Sequence, residues 1–177
     1  MNFGHVRHLH FVGVGGAGMC GLAELLHGDG LEVSGCDQAA SETTARLEAL
    51  GIPVAIGHDP SHLERAQVVV ISSAVAGENA EVAAARTRGI PVIRRAEMLG
   101  EISRLRWSIA VAGTHGKTTT SAWLAHILRH AGLDPNFIVG ADIPQLGGNS
   151  GVGGGKWFVA EACEYDRSFL NLKPQIG

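Results

Sequence analysis

The octapeptide Gly113-Thr114-His115-Gly116-Lys117-Thr118-Thr119-Thr120 constrains this chain more than any other stretch. An apolar run, Trp107 to Ala112, leads into it, and a helical pattern from Thr118 to Ala131 leads out. Strand, glycine-rich turn, Lys-Thr and helix together spell a phosphate-binding loop, because glycines let backbone N–H groups turn inward around a polyphosphate. Lys117 is expected to reach the β/γ-phosphates and the Thr118 hydroxyl to sit on Mg²⁺. The helix N-terminus adds partial positive charge at the same point. The usual pattern carries a glycine five residues before Gly116; here that position is Val111, and Gly113 supplies the flexibility. Gly113, Thr114, His115, Gly116, Lys117, Thr118 and Thr119 are thus the expected nucleotide-binding residues, with His115 placed to meet phosphate or acceptor. The bland alternative is a glycine turn that binds nothing.

A second nucleotide signal opens the chain. Leu9-His10-Phe11-Val12 reads as a short buried strand, followed by Gly13-Val14-Gly15-Gly16-Ala17-Gly18 and a helical pattern from Met19 to His27. This is G-x-G-x-x-G between strand and helix, the dinucleotide-type fingerprint. The next strand, Leu31 to Cys36, ends at Asp37, about where a ribose-binding carboxylate belongs. Such a turn reads diphosphate through its backbone, so by itself it does not separate NAD(P) from another diphosphate ligand.

Composition narrows the class. The chain has 177 residues, 45% of them apolar, with 25 glycines, which suits one to one and a half α/β domains rich in strand-to-helix turns. The formal net charge of −3 and the lack of a basic block argue against nucleic acid. Cys20, Cys36 and Cys163 are widely spaced, with no C-x-x-C pair, as in a reducing compartment. Arg7 ahead of an apolar run resembles a signal peptide, but the glycines from Gly13 to Gly21 and the acid Glu24 argue against one. Apolar runs fall short of the ~18 residues a membrane span needs, so a cytoplasmic location is expected.

The order of elements predicts a Rossmann-like, doubly wound parallel sheet over residues 1–105, followed by the start of a phosphate-loop ATP-binding α/β domain over 106–177. Helices are expected over Ser41–Leu50, with Ser41 as N-cap and Gly51 as stop, over Glu78–Arg88 and over Ala96–Arg104. Strands are expected at Ile52–Ile56, Gln67–Ser72, Pro91–Ile93, Phe137–Val139 and Lys156–Ala160. Leu146–Gly155 holds six glycines and reads as a mobile loop or hairpin tip. A further strand is expected to begin as the chain stops at Gly177, so a truncated piece of a longer protein, inactive alone, is expected.

Glu161 tips an apolar strand, where α/β proteins place ligands. If that strand neighbours the Trp107–Ala112 strand, its carboxylate points at the phosphate loop and can hold Mg²⁺. Glu164 and Asp166 are weaker candidates, and Cys163 shows no general base nearby. His8 and His10 share one strand face. His126 and His130 are four apart on a helix, but without the glutamate of a zinc motif, and opposite the apolar stripe Trp123, Leu124, Ile127, Leu128 they read as a solvated face. Ser72 and Ser73 end a buried strand beside the first glycine turn, and Arg95 can pair with phosphate; ordinary capping is the alternative for each.

The chain resembles the Mur ligase family. The resemblance rests on His10–Met19, Ile71–Val75, Pro91–Leu99, Ala110–Thr120 and Val159–Asp166, in the family's order and over essentially the whole chain. The family's last motif is Glu-Ala-Asp-Glu-Ser-Asp; here Cys163 and Tyr165 replace its first Asp and its Ser, while Glu161, Glu164 and Asp166 remain. The resemblance implies an ATP- and Mg²⁺-dependent ligase of peptidoglycan synthesis that joins L-alanine to UDP-N-acetylmuramate through an acyl phosphate. It implies Lys117, Glu161 and His115 in catalysis, Thr118 and Glu161 on the metal, and Gly15, Gly16, Ala17, Gly18, Met19, Asp37, Ser72, Ser73 and Arg95 around the UDP-sugar. Two readings compete: a ligase that adds a recycled tripeptide, and a NAD(P)-dependent oxidoreductase, which leaves Gly113–Thr120 unexplained.

Overall fold

Short apolar strands that each run into a turn and a helix can bury both faces only in a parallel sheet, and the first half of the chain builds one. The computed structural model describes residues 4–16, 18–75, 79–162 and 169–177. Strands β1 (His8–Val12), β2 (Glu32–Asp37), β3 (Val54–Ile56), β4 (Val68–Ile71) and β5 (Val92–Arg94) alternate with helices α1 (Met19–Gly28), α2 (Glu42–Ala49) and α3 (Ala80–Thr87), with a 3₁₀ turn at Pro60–Leu63. The sheet order is β3-β2-β1-β4-β5, every pairing parallel. The order reverses between β1 and β4, the place where a doubly wound sheet opens a crevice at its strand ends. The expected Rossmann-like sheet is therefore what forms. On one side its core joins Val12, Cys36, Leu63, Val69 and Ala85.

The second half contains α4 (Arg95–Leu105), β6 (Trp107–Val111), α5 (Lys117–His130), β7 (Asn136–Ile143), a 3₁₀ turn at Pro144–Leu146, β8 (Gly148–Gly151) and β9 (Trp157–Glu161). Its sheet runs β6-β9-β7-β8; β9 is parallel to both β6 and β7, and β8 is antiparallel to β7. Beyond β6, Ile176 makes a parallel bridge to Ile109. The chain divides into two compact units, Met1–Arg95 and Ala96–Gly177. Nearly all of α4 thus groups with the second unit, ahead of the division at 105/106 read from the sequence. The contacts show why: Lys173 N donates to Ser103 Oγ (2.8 Å), and a Cβ on Gly100 would lie 2.5 Å from the Asn171 carbonyl oxygen.

Two expectations need correction. The glycine-rich segment is not only loop: Gly148–Gly151 is strand β8. A Cβ on Gly151 would stand 2.3 Å from Phe137 Cε1, so the missing side chain is what lets the strand lie over a buried ring. On α5 the stripe Trp123, Leu124, Ile127, Leu128 packs only in part: Leu124 and Leu128 lie half-buried against the core, while Trp123 and Ile127 are 69% and 59% exposed. The buried residues are Ser121, Ala122 and Ala125, small enough to let the helix sit close on Phe137, Val139 and Val159. Among the described residues no helix is long and apolar enough to cross a membrane.

Helix starts fall into two kinds. Ser41 caps α2 in a reciprocal box, Thr44 N donating to Ser41 Oγ (3.2 Å) and Ser41 N to Thr44 Oγ1 (2.9 Å). Asn79 caps α3, accepting from the N–H groups of Glu81 and Val82. By contrast α1 and α5 begin on Gly18 and Gly116, both at φ +79°, with no side-chain cap. A helix start without a capping side chain can turn its N–H groups to an anion; at α1, however, the Met19 and Cys20 N–H groups already donate to Gly16 O (3.0 and 3.4 Å).

Candidate functional site

In the second unit the phosphate-loop geometry follows from strand order. Because β9 pairs in register with β6, Val111 stands opposite Glu161, and Ala162 N donates to Val111 O (2.9 Å). Glu161 therefore emerges beside the turn that Val111 feeds. Gly140 on β7 brings the parts together: its N–H donates to Glu161 Oε1 (2.6 Å), and a Cβ there would lie 2.9 Å from Glu161 Oε2 and 3.3 Å from Thr118 Oγ1. A hydroxyl and a carboxylate thus converge on one small space at the N-terminus of α5. Lys117 Nζ donates to Gly113 O (2.5 Å), so its ammonium is folded over the turn. Gly113, Thr114, His115 and Gly116 are all exposed, and Gly113 (φ +141°) needs a backbone other residues avoid. Alongside, a cavity of about 380 Å³ opens on Thr118, Thr119, Trp123 and His126. The donor set of hydroxyl, carboxylate, ammonium and helix N-terminus fits a magnesium–polyphosphate pair.

In the first unit the glycine turn borders a cavity of about 670 Å³, within the size range of small-molecule sites. Gly13, Gly15, Gly16, Asp37, His58 and Ser72 are among its walls. Asp37 has a job inside the protein: Oδ2 accepts from Gly15 N (2.8 Å) and Oδ1 from Gln38 N (2.8 Å), so it fixes the loop, with spare acceptor capacity on each oxygen. Arg95 reaches the far end of the turn, its Nη1 lying 3.1 Å from where a Gly18 Cβ would be. Ser72 Oγ accepts from Ala74 N (3.2 Å). Ser73 is exposed and is not among the cavity's walls. Met19 points inward, 1% exposed, and its N–H is bonded to Gly16 O. Ala17, Cys163, Glu164, Tyr165 and Asp166 lie outside the described residues.

Beneath that cavity lies a side-chain cluster that no motif in the chain announces. Glu81, fully buried at the start of α3, is surrounded by His10 of β1, Cys36 of β2, His58, and His62 in the Pro60–Leu63 turn. Burial opposes its ionisation, but the neighbouring His10 imidazole and the hydrogen bonds to Cys36 and His62 outweigh it and hold the carboxyl down at about 2. Burial, then the bond to Glu81, pushes the Cys36 thiol well up. These residues are far apart in sequence and lack ligand spacing; the one local signal is a histidine inside an apolar strand. His126 and His130, by contrast, lie on the exposed part of α5 as expected, with His130 Nδ1 3.0 Å from His126 O.

Residues 8–107 match the Mur ligase family, catalytic domain. A UDP-N-acetylmuramate–L-alanine ligase of Methylibium petroleiphilum is 56% identical over 172 residues, covering 97% of this chain and 37% of that protein. Among solved structures, a UDP-N-acetylmuramate:L-alanyl-γ-D-glutamyl-meso-diaminopimelate ligase from Neisseria meningitides superposes with TM-score 0.86 at 35% identity, covering 97% of this chain and 59% of that one. A UDP-N-acetylmuramate–alanine ligase from Thermotoga maritima superposes with TM-score 0.82 at 32% identity, over 94% and 39%. The chain spans little more than a third of the length of the curated relatives it matches. With the family match covering more than half of its residues, the chain belongs to the Mur ligase family.

Proposed function

We propose that the protein containing this chain is an ATP-dependent ligase that joins L-alanine to UDP-N-acetylmuramate in peptidoglycan synthesis. The observation that carries the reading is the convergence of Thr118 and Glu161 on Gly140 at the mouth of the phosphate loop. The choice of L-alanine rests on relatives 52–58% identical that bear that name. Bound MgATP supplies the phosphoryl group that turns the muramate carboxylate into an acyl phosphate, which the alanine amine attacks with loss of inorganic phosphate. The chain's own part is to hold and orient. Lys117 moves from the Gly113 carbonyl to the phosphates, Thr118 Oγ1 and Glu161 hold the cation, and the uncapped N-terminus of α5 faces negative charge. His115, exposed in the turn, contacts phosphate or acceptor. In the first unit Gly15, Gly16 and Gly18, having no side chains, let the diphosphate come close to the turn, Arg95 pairs with it, and Ser72 and Asp37 complete the UDP-sugar site. An enzyme that spends ATP works where ATP is made available, and we assign it to the cytoplasm.

A second reading, a ligase adding a tripeptide, is favoured by the Neisseria structure, which superposes slightly better than the alanine ligase. The two separate on one measurement: phosphate release by the full-length protein with UDP-N-acetylmuramate, ATP and Mg²⁺, with L-alanine or the tripeptide as acceptor. Alanine-dependent release that Lys117→Ala abolishes supports the proposal; release with tripeptide alone overturns it.

A further inference from the structure

We infer that His10, Cys36, His62 and Glu81 form a buried site for a zinc-class divalent cation. One ligand atom from each residue can be chosen so that all four lie within 4.8 Å of one another. A tetrahedral site with bonds of about 2.0–2.3 Å has ligand–ligand edges of about 3.3–3.8 Å, so the four close on an ion with small side-chain shifts. Around Glu81 one spacing already matches, His10 Nε2 at 3.6 Å from Oε1, while Cys36 Sγ at 2.7 Å from Oε2 and His62 Nδ1 at 2.5 Å from Oε1 would open by about 1 Å. The set of one thiolate, two imidazoles and one carboxylate suits zinc and disfavours magnesium or calcium, which take oxygen. On binding, the Cys36 thiol proton leaves to solvent and its sulfur electron pair goes to the ion.

Three further observations point to an ion rather than a self-satisfied polar knot. His10 is 1% exposed, and its Nε2 has no hydrogen-bond partner among the described residues, standing 3.6 Å from Glu81 Oε1. The opposite ring nitrogen, Nδ1, is 2.9 Å from Ser34 Oγ, which in turn is 2.8 Å from His8 Nε2. That outer support fixes the ring, and an Nδ1–H donated to Ser34 leaves the Nε2 lone pair aimed at Glu81. His58 plays a like part, 3.1 Å from Glu81 Oε2 and 3.3 Å from Cys36 Sγ. The four ligands come from β1, β2, the Pro60–Leu63 turn and α3, so an ion would tie the turn and α3 to the paired strands β1 and β2. All four positions are filled by protein, which marks a structural rather than a catalytic site. His58 also lines the 670 Å³ cavity, so the pin lies directly under the proposed substrate floor.

The test uses the chain stripped with chelator and titrated with Co²⁺, then competed with Zn²⁺. One equivalent per chain is expected, with a thiolate-to-cobalt charge-transfer band and the intense visible bands of tetrahedral cobalt. Cys36→Ser should abolish the charge-transfer band, and Cys20→Ser should leave it. His62→Ala, at a partly exposed position, should weaken binding roughly tenfold or more without unfolding the chain. Zn²⁺ should raise Tm for the parent chain and not for His62→Ala. A parent chain without the charge-transfer band overturns the inference. So does a band that survives Cys36→Ser, or an affinity that His62→Ala leaves unchanged.

Discussion

The two glycine-rich turns have the same backbone plan and different furniture. Each follows a parallel strand and opens an uncapped helix on a glycine at φ +79°. In the first, the protein's own carboxylate already occupies the loop: Asp37 Oδ2 takes the Gly15 N–H. Anionic charge at that point disfavours a naked polyphosphate and leaves recognition to Arg95, hydroxyls and spare acceptors. In the second, the turn is exposed, an ammonium folds over it, and a carboxylate, Glu161, stands where a cation would bridge it to phosphate. A glycine pattern therefore specifies a place for a phosphate, while neighbouring strands decide which phosphate ligand fits.

The largest test of that contrast removes the charges of the second turn. In the full-length protein Lys117→Ala and Glu161→Gln should each lower turnover by roughly 10²–10³-fold, the scale of losing a charge-stabilising group in a transition state. Asp37→Asn should leave ATP affinity untouched. Steady-state rates and calorimetric ATP binding check both, and an ATP defect in Asp37→Asn would erase the distinction between the turns.

Next in size is the packing that supports the first turn. A Cβ on Gly35 would lie 2.7 Å from Val14 Cβ, inside the loop. Gly35→Ala should cost roughly 1–3 kcal/mol by overpacking, with faster hydrogen exchange confined to residues before Arg95. Equal loosening of α5 and β9 would show that the two units do not unfold separately.

A milder change probes the cation position. Gly140 is exposed and has an ordinary backbone angle, so Gly140→Ala should leave stability within roughly 0.5 kcal/mol. Its new methyl group would press on Glu161 Oε2 and Thr118 Oγ1. The expected result is a several-fold higher Mg²⁺ requirement at little changed ATP-independent stability, read from rate against Mg²⁺ concentration. An unchanged requirement would mean that Glu161 and Thr118 do not share a cation.

What the sequence made legible was whatever is local. Strand-turn-helix order, the Ser41 cap and the tip position of Glu161 follow from runs of a dozen residues, and each is present. The placement of Glu161 against the phosphate loop depended on β9 neighbouring β6, a condition stated from sequence and met in the fold. Strand β8 was illegible because Gly148-Asn149-Ser150-Gly151 has no apolar alternation; its pairing depends on the Phe137 ring needing room. The apolar stripe of α5 was legible in part: Leu124 and Leu128 pack, but periodicity does not fix the centre of the packed face, which Ala122 and Ala125 take and which leaves Trp123 and Ile127 outside. The Glu81 cluster was invisible for a deeper reason. Its members meet only through the β2-β1-β4 order, which no spacing along the chain encodes.

The smallest prediction concerns helix starts. If α1 and α5 lack caps because a ligand serves them, then capping should matter most where no ligand binds. Ser41 satisfies the first turn of α2 through Thr44 N, and Thr44 returns the bond. Ser41→Ala removes the acceptor and should cost about 1 kcal/mol, seen as a lower denaturant midpoint with unchanged slope. ATP should not alter that loss, because α2 belongs to the first unit and its start is already satisfied. At Gly116 the logic reverses: Gly116→Ala keeps no cap to lose but must hold φ near +79°, costing roughly 1–2 kcal/mol of backbone strain. ATP affinity should fall with it, since the same turn presents its N–H groups to phosphate. A Ser41→Ala variant that lost ATP binding, or a Gly116→Ala variant that kept it, would detach helix capping from ligand binding in this fold.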